Sequence, residues 1–240
     1  MKPLFATAAL ALPLLLMACR SSAPTAGIDA ATPTSSSPAA AAPATDTRPT
    51  IVAFGDSLTA GFGTDPGESY PDYLQKDLDA QGYHYHVINA GISGNTTKDG
   101  VERLDSVVAL KPAVVIVAFG GNDGLRGLPI ASTRQNLETM VTTLQHAGAK
   151  VVLGGITLPP NYGADYIRQF NETYVLLARQ HHVPLLPFLL EDVYGAAGSM
   201  QRDGIHATAK GNAQVARNLL PLVLPLLHKG QADQPITTSG

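Results

Sequence analysis

The chain has 240 residues, of which 45% are hydrophobic and 15% are charged, and its formal net charge is -3. This composition suits one or two soluble domains, and a weakly negative chain argues against a nucleic-acid-binding protein. Cys19 is the only cysteine, so no disulfide can form within the chain.

The N-terminal 49 residues differ in composition from the rest. An apolar run from Leu4 to Ala18 follows Met1 and Lys2. It is too short to span a membrane but has the length of a secretory signal. Of the 30 residues from 20 to 49, 24 are Ala, Ser, Thr or Pro, which leaves too little apolar surface for folding. We therefore expect a signal peptide over residues 1–18, a disordered tether over 19–49, a folded domain over 50–228 and a flexible tail over 229–240.

Cys19 directly follows the apolar run. The segment resembles a bacterial lipoprotein signal, which implies cleavage before Cys19, lipidation of that cysteine and a membrane anchor. Arg20, rather than Asp, at the next position implies the outer membrane of a Gram-negative cell, facing the periplasm. The alternative is a plain secretory signal cut near Ala18, giving a secreted or periplasmic protein. A monomer is the favoured oligomeric state.

Strand and helix patterns alternate through the predicted domain. Continuous or β-branched apolar runs predict strands at residues 50–54, 83–89, 113–119, 151–156 and 183–187. Apolar residues at helical spacing predict helices at residues 71–80, 98–110, 132–147 and 165–182, and a last helix that ends near residue 227. Such alternation requires crossovers. The predicted fold class is α/β, a flavodoxin-like three-layer α/β/α arrangement with a five-stranded parallel sheet.

Ser57 stands where the first predicted strand turns into a helix, within Gly55-Asp56-Ser57. Its hydroxyl would project from the carboxyl edge of the sheet, and its N–H would point out of a helix N-terminus. A nucleophile that also stabilises an oxyanion needs both features. A serine that only caps a helix would look the same at this position.

The loops after the other strands supply further polar groups at the same edge. A serine nucleophile needs a base and a third group that orients the base. Asp203 and His206 are three residues apart in one turn and could provide both. The N–H groups of Ser57 and Gly94 and the amide of Asn122 are candidate oxyanion donors. Taken singly, Gly94 fits a turn, Asn122 a loop and Asp203 a helix cap.

Four segments together resemble the conserved blocks of the GDSL or SGNH hydrolases. They are Gly55-Asp56-Ser57-Leu58, Ile92-Ser93-Gly94-Asn95-Thr96, Gly121-Asn122-Asp123 and Asp203-Gly204-Ile205-His206. Residues 120–127, 158–163 and 183–188 resemble the bacterial subgroup of multifunctional acyl thioesterases, lysophospholipases and arylesterases. The resemblance implies that Ser57 is the nucleophile, His206 the base and Asp203 its orienting acid. It also implies an oxyanion hole formed by Ser57, Gly94 and Asn122.

The leading functional hypothesis is a serine hydrolase that cleaves acyl esters or thioesters through an acyl-enzyme on Ser57, without a metal or other cofactor. Apolar loop residues could line an acyl groove or could only pack the loops: Leu125, Leu128, Leu158, Pro159, Tyr162 and Ile205. One alternative is a carbohydrate deacetylase of the same superfamily. Another is a non-catalytic lipoprotein that binds an anion or nucleotide at the helix N-terminus after Ser57. Asp56 and Asp123 are expected to hold loops through side-chain to backbone hydrogen bonds.

Overall fold

The computed structural model describes residues 46–228. The expected signal peptide, the proposed lipidation site Cys19 and the C-terminal tail lie outside these residues, as does the tether before residue 46. Within the described range, no helix combines the length and the hydropathy needed to cross a bilayer.

The strands of residues 46–228 form one parallel sheet with the order β2-β1-β3-β4-β5. They are β1 (Thr50–Gly55), β2 (His86–Gly91), β3 (Val114–Ala118), β4 (Lys150–Gly154) and β5 (Leu185–Leu186). Every neighbouring pair is parallel. This is the flavodoxin-like order, and it confirms the predicted fold class. Its switch point lies between β1 and β3, where open α/β sheets bind ligands at the carboxyl edge.

Helices enclose the sheet in two layers, with α2 packed against α8 and with α6 packed against α3 and α7. The helices are α1 (Ser57–Ala60), α2 (Tyr70–Ala80), α3 (Thr97–Glu102), α4 (Leu104–Val108), α5 (Gly121–Leu125), α6 (Ile130–His146), α7 (Ala164–His181) and α8 (Ala209–Val223). Short 3-10 helices cover Pro160–Tyr162 and Leu224–Leu226. Strands β1 and β3 are buried almost throughout, as the continuous apolar runs of central parallel strands predict.

Several element boundaries differ from the sequence expectation; strand β2, for example, covers His86–Gly91 rather than 83–89, and three further differences have a local physical reason. The helix predicted over residues 98–110 is two helices, α3 and α4, because Arg103 adopts φ -110° and ψ 12° between them. Strand β5 covers two residues rather than 183–187, since Pro184 and Pro187 flank it and lack the N–H that a sheet ladder needs. Helix α8 ends at Val223 and the chain continues as the 3-10 helix Leu224–Leu226, because Pro225 lacks the N–H that would extend the α-helical hydrogen-bond pattern.

Candidate active site

Ser57, His206 and Asp203 meet at the carboxyl edge of the sheet. Ser57 is the first residue of α1, directly after β1. The His206 Nε2 atom lies 2.9 Å from the Ser57 Oγ atom, and the His206 Nδ1 atom lies 2.7 Å from the Asp203 Oδ2 atom. One imidazole therefore bridges a hydroxyl and a carboxylate, as general-base activation of a serine requires.

The turn from Asp203 to His206 is organised by the aspartate itself. Its Oδ1 atom accepts hydrogen bonds from the backbone N–H of Ile205 at 2.9 Å and of His206 at 3.0 Å. Burial alone would raise the pKa of Asp203, but the hydrogen bonds from the His206 ring and from these two amides outweigh it and lower the pKa to about 2. Asp203 is therefore a carboxylate near neutral pH and holds the proton of His206 on Nδ1.

Gln201 and Phe62 support the histidine from outside the predicted set. The backbone N–H of Gln201 donates to the His206 carbonyl at 2.8 Å, and its side-chain amide donates to the Phe62 carbonyl at 2.7 Å. The Phe62 ring lies 4.7 Å from the His206 ring, centroid to centroid, although the Phe62 residue is 50% exposed. In the sequence, the one signal for this contact was an aromatic residue placed between Gly61 and Gly63.

The candidate oxyanion donors Ser57, Gly94 and Asn122 line one cavity. Gly94 is the third residue of a turn closed by the Asn95 N–H donating to the Ile92 carbonyl at 3.2 Å. Its φ of 83° lies in the left-handed region that favours glycine. The Asn122 Nδ2 group donates to the Asn95 carbonyl at 2.9 Å. This hydrogen bond links α5 to the loop after β2.

Asp56 and Asp123 both accept side-chain to backbone hydrogen bonds, as the sequence suggested. Asp56 accepts from the Leu58 N–H at 3.1 Å, and Asp123 accepts from the Thr97 N–H at 2.8 Å. Asp123 also accepts from the Thr133 hydroxyl at 3.3 Å. Burial raises the pKa of Asp56 to about 6, which gives this carboxyl group a property that the sequence did not predict.

The cavity beside Ser57 has a volume of about 470 Å³. Four of the residues expected in an acyl groove line it, namely Leu125, Leu158, Pro159 and Ile205. The wall also includes apolar and aromatic residues that the sequence did not single out as groove candidates: Leu58, Phe62, Ile156, Pro160, Phe188, Leu190 and Tyr194. Among the residues that line the cavity, Asp56 carries a carboxylate and His206 carries an imidazole. In residues 46–228 no three His, Cys, Asp or Glu side chains converge as a metal site would require.

Leu128 and Tyr162, which on sequence could line a groove or pack the loops, are not among the residues that line this cavity. The Tyr162 hydroxyl donates to the Leu125 carbonyl at 3.0 Å, so this side chain stabilises the end of α5. The Leu128 carbonyl accepts from the Tyr166 hydroxyl at 3.1 Å, and the Leu128 N–H donates to the Asp123 carbonyl at 2.9 Å. These contacts fix Leu128 in the connection between α5 and α6 instead of at the cavity.

Two helical layers around a parallel sheet, with a serine, a histidine and an aspartate joined at its carboxyl edge, define a serine hydrolase of the α/β/α class. Residues 53–214 match the GDSL-like Lipase/Acylhydrolase family. The chain belongs to this family.

Individual relatives agree with this assignment. Esterase TesA of Pseudomonas aeruginosa is 45% identical over 74% of this chain and 89% of its own length. Thioesterase 1/protease 1/lysophospholipase L1 of Escherichia coli (strain K12) is 37% identical over 72% of this chain and 85% of its own length. A crystal structure of TesA, 45% identical, superposes with a TM-score of 0.72 over 74% of this chain and 99% of that chain.

Proposed function

We propose that this protein hydrolyses acyl esters or thioesters through an acyl-enzyme on Ser57. The observation that carries the proposal is the hydrogen-bonded series from Asp203 through His206 to Ser57, which opens into an apolar cavity beside Gly94 and Asn122. Nothing in this scheme requires a metal or an organic cofactor.

In the first half of the reaction, the Ser57 oxygen attacks the acyl carbonyl carbon while His206 Nε2 takes the hydroxyl proton. The carbonyl electrons move onto oxygen, and the N–H groups of Ser57 and Gly94 and the amide of Asn122 donate to that oxyanion. When the tetrahedral intermediate collapses, its bond to the alcohol or thiol breaks. His206 then returns the proton to this leaving group.

In the second half, His206 removes a proton from water, and the resulting hydroxide attacks the acyl carbon on Ser57. Collapse releases the carboxylic acid, and the serine oxygen regains its proton from His206. Asp203 stabilises the imidazolium in both halves because its low pKa keeps it ionised.

The cavity favours an acyl chain over a carbohydrate. A sugar site presents several polar groups that pair with hydroxyls, because an unpaired buried hydroxyl is costly. Beyond the proposed catalytic groups and Asp56, the polar groups on this wall are the hydroxyls of Ser93, Thr157 and Tyr194, against a wall that is otherwise mostly apolar. The relatives named esterase, thioesterase and lysophospholipase support the same substrate class. We therefore place the carbohydrate deacetylase alternative second.

A fluorophosphonate probe tests the proposed nucleophile and base. We expect labelling of the wild-type protein and of Ser132→Ala, a control at an exposed serine of α6, but none of Ser57→Ala. His206→Ala should label far more slowly than wild type. An unlabelled wild-type protein that binds nucleotide would instead support the non-catalytic alternative.

A substrate series tests the acyl preference. p-Nitrophenyl esters of increasing chain length should be cleaved faster than an acetylated sugar, because a longer chain buries more apolar surface in the cavity. Faster deacetylation of the sugar than of every chain-length ester would overturn this preference.

We also propose that the mature protein is anchored to a membrane by lipid on Cys19 and lies in the outer membrane, facing the periplasm. The support is the apolar run ending at Ala18, the single cysteine after it and Arg20. Metabolic labelling with palmitate should mark wild type but not Cys19→Ala, and fractionation should move the variant from the membrane to the soluble fraction. Equal labelling and equal fractionation of the two proteins would contradict the anchor.

We propose a monomeric domain as well. Every residue named in the proposed site comes from one chain, so the chemistry needs no second copy. Light scattering of the purified domain would show the mass of one chain, and a stable dimer would refute this.

A further inference from the structure

Arg103 lies at the junction of α3 and α4 and donates three hydrogen bonds to different parts of the chain. Its Nη2 atom donates to the Gly55 carbonyl at 2.8 Å and its Nη1 atom to the Ala90 carbonyl at 2.9 Å. Its Nε atom donates to the Asn95 Oδ1 atom at 2.8 Å. The guanidinium thus joins the ends of β1 and β2 to the loop after β2.

Two buried aromatic rings contact the same guanidinium. The Arg103 Cζ atom is 4.5 Å from the centre of the Phe54 ring and 5.5 Å from the centre of the Phe119 ring. These distances are typical of cation–π contacts. Burial lowers the pKa of Arg103, whereas the charges of Asp99 and Asp56 oppose that effect.

These contacts lie next to the three segments that carry the candidate oxyanion donors. Gly55 is two residues before Ser57, and Asn95 directly follows Gly94. Asn95 also accepts the hydrogen bond from the Asn122 amide through its own carbonyl. Phe119 directly follows β3 and precedes α5, which carries Asn122. Arg103 therefore contacts a residue within three positions of each of the three candidate donors.

We propose that Arg103 is a positioning residue that holds the three oxyanion donors in register with one another. The proposal rests on the hydrolase function proposed above. Oxyanion stabilisation depends on donors that are already aimed at the developing charge, and a displacement of about 1 Å can cost about 10²-fold in rate. Without the guanidinium, the segments that carry Ser57, Gly94 and Asn122 could shift relative to one another.

Charge alone would not replace this side chain. The guanidinium is planar, and its separate N–H groups fit three acceptors in fixed directions while its face stacks on aromatic rings. A lysine would retain the positive charge but could not repeat this geometry. Arg103→Lys therefore separates alignment from charge, and Arg103→Met removes both while keeping a long apolar stem.

The test compares these two variants with wild type and with Arg217→Lys and Arg217→Met as matched controls. Arg217 is exposed on α8 and bonds to Gln214, away from the donor loops. For each protein we measure kcat and KM for a short p-nitrophenyl ester and the rate of fluorophosphonate labelling. We also measure the fraction of molecules labelled at completion and the thermal unfolding.

We expect kcat to fall about 10-fold to 10³-fold in both Arg103 variants, by analogy with the loss of an oxyanion donor. KM should stay within about threefold of wild type, since Arg103 is not among the residues that line the cavity and its apolar wall is unchanged. Labelling should slow by a factor similar to that for kcat, and the Arg217 variants should match wild type. A third variant, Arg103→Ala, leaves space for a small guanidinium, so millimolar methylguanidinium should raise its kcat at least about threefold without changing the rate of Ser57→Ala.

Wild-type kcat in Arg103→Lys and Arg103→Met would overturn the proposal. The proposal would also fail if the activity of Arg103→Lys fell only in proportion to the fraction of molecules that the fluorophosphonate can label. A smaller number of folded molecules would then explain the lower activity. Failure of the underlying hydrolase function has a different signature: wild type would cleave no ester, or Ser57→Ala would cleave as fast as wild type.

Discussion

Asp56 links the stability of the active-site turn to pH. It is 2% exposed and precedes Ser57 at the start of α1. Burial raises the pKa of Asp56 from 3.8 to about 6, although the hydrogen bond from the Leu58 N–H and the nearby His206 act in the opposite direction. The folded chain therefore favours the neutral acid more than the unfolded chain does.

The sign of the effect follows from linkage. An acid with a higher pKa in the folded state stabilises the fold below its unfolded pKa, and this stabilisation is lost as pH rises through the folded pKa. One pKa unit corresponds to about 1.4 kcal/mol, so ionisation of Asp56 removes about 3 kcal/mol of unfolding free energy at pH 8. About 2 kcal/mol of this loss falls between pH 4.5 and pH 7.5.

Asp56→Asn has no carboxyl proton to lose, so this decrease should be missing from the variant. Urea unfolding at pH 4.5 and pH 7.5 gives the change in unfolding free energy for each protein. From pH 4.5 to pH 7.5, the unfolding free energy of wild type should fall by about 2 kcal/mol more than that of Asp56→Asn. Asp65→Asn, at an exposed turn, is the matched control. Equal pH dependence in wild type and Asp56→Asn would refute the reasoning.

Three further predictions concern the site and its support. Asn122→Ala should lower kcat about 10²-fold to 10³-fold, because one oxyanion donor is lost, and unchanged steady-state kinetics would contradict its role. Asp203→Asn should lower kcat by about 10⁴-fold with a smaller effect on KM, since the histidine loses its ionised partner; a normal kcat would show that the carboxylate is dispensable. Gly120→Ala should destabilise the fold by about 2–4 kcal/mol in urea unfolding, because φ is 119° there and the new Cβ would lie 2.1 Å from the Tyr174 hydroxyl. Gly67→Ala, also at positive φ but with open space, should cost only about 1–2 kcal/mol, and equal losses would exclude the steric contribution.

The sheet and the order of its elements were predictable from the sequence because parallel strands buried on both faces are continuous apolar runs. Ile51 to Phe54 and Val114 to Ala118 are such runs, and both strands are buried as expected. The polar residues that follow strands could then be placed at one edge without knowledge of any contact. That is why Ser57 could be expected near His206 across 149 positions of chain.

Details set by contacts between distant segments were not predictable. Helical spacing continues through Arg103, and the break there coincides with hydrogen bonds to Gly55 and Ala90, which no local pattern reveals. Helix α5 lies where the sequence analysis placed the loop after the third strand. Leu128 and Tyr162 have the apolar character of groove residues, but composition does not give the direction in which a loop side chain points.

The sheet is complete at Leu186, whereas Asp203 and His206 arrive only in the turn before α8. A molecule that has closed its five strands but not yet docked its final segment holds a serine with no imidazole beside it. The onset of hydrolysis during refolding would therefore report the docking of the last segment, whereas burial of the aromatic pair Phe54 and Phe119 would report formation of the core.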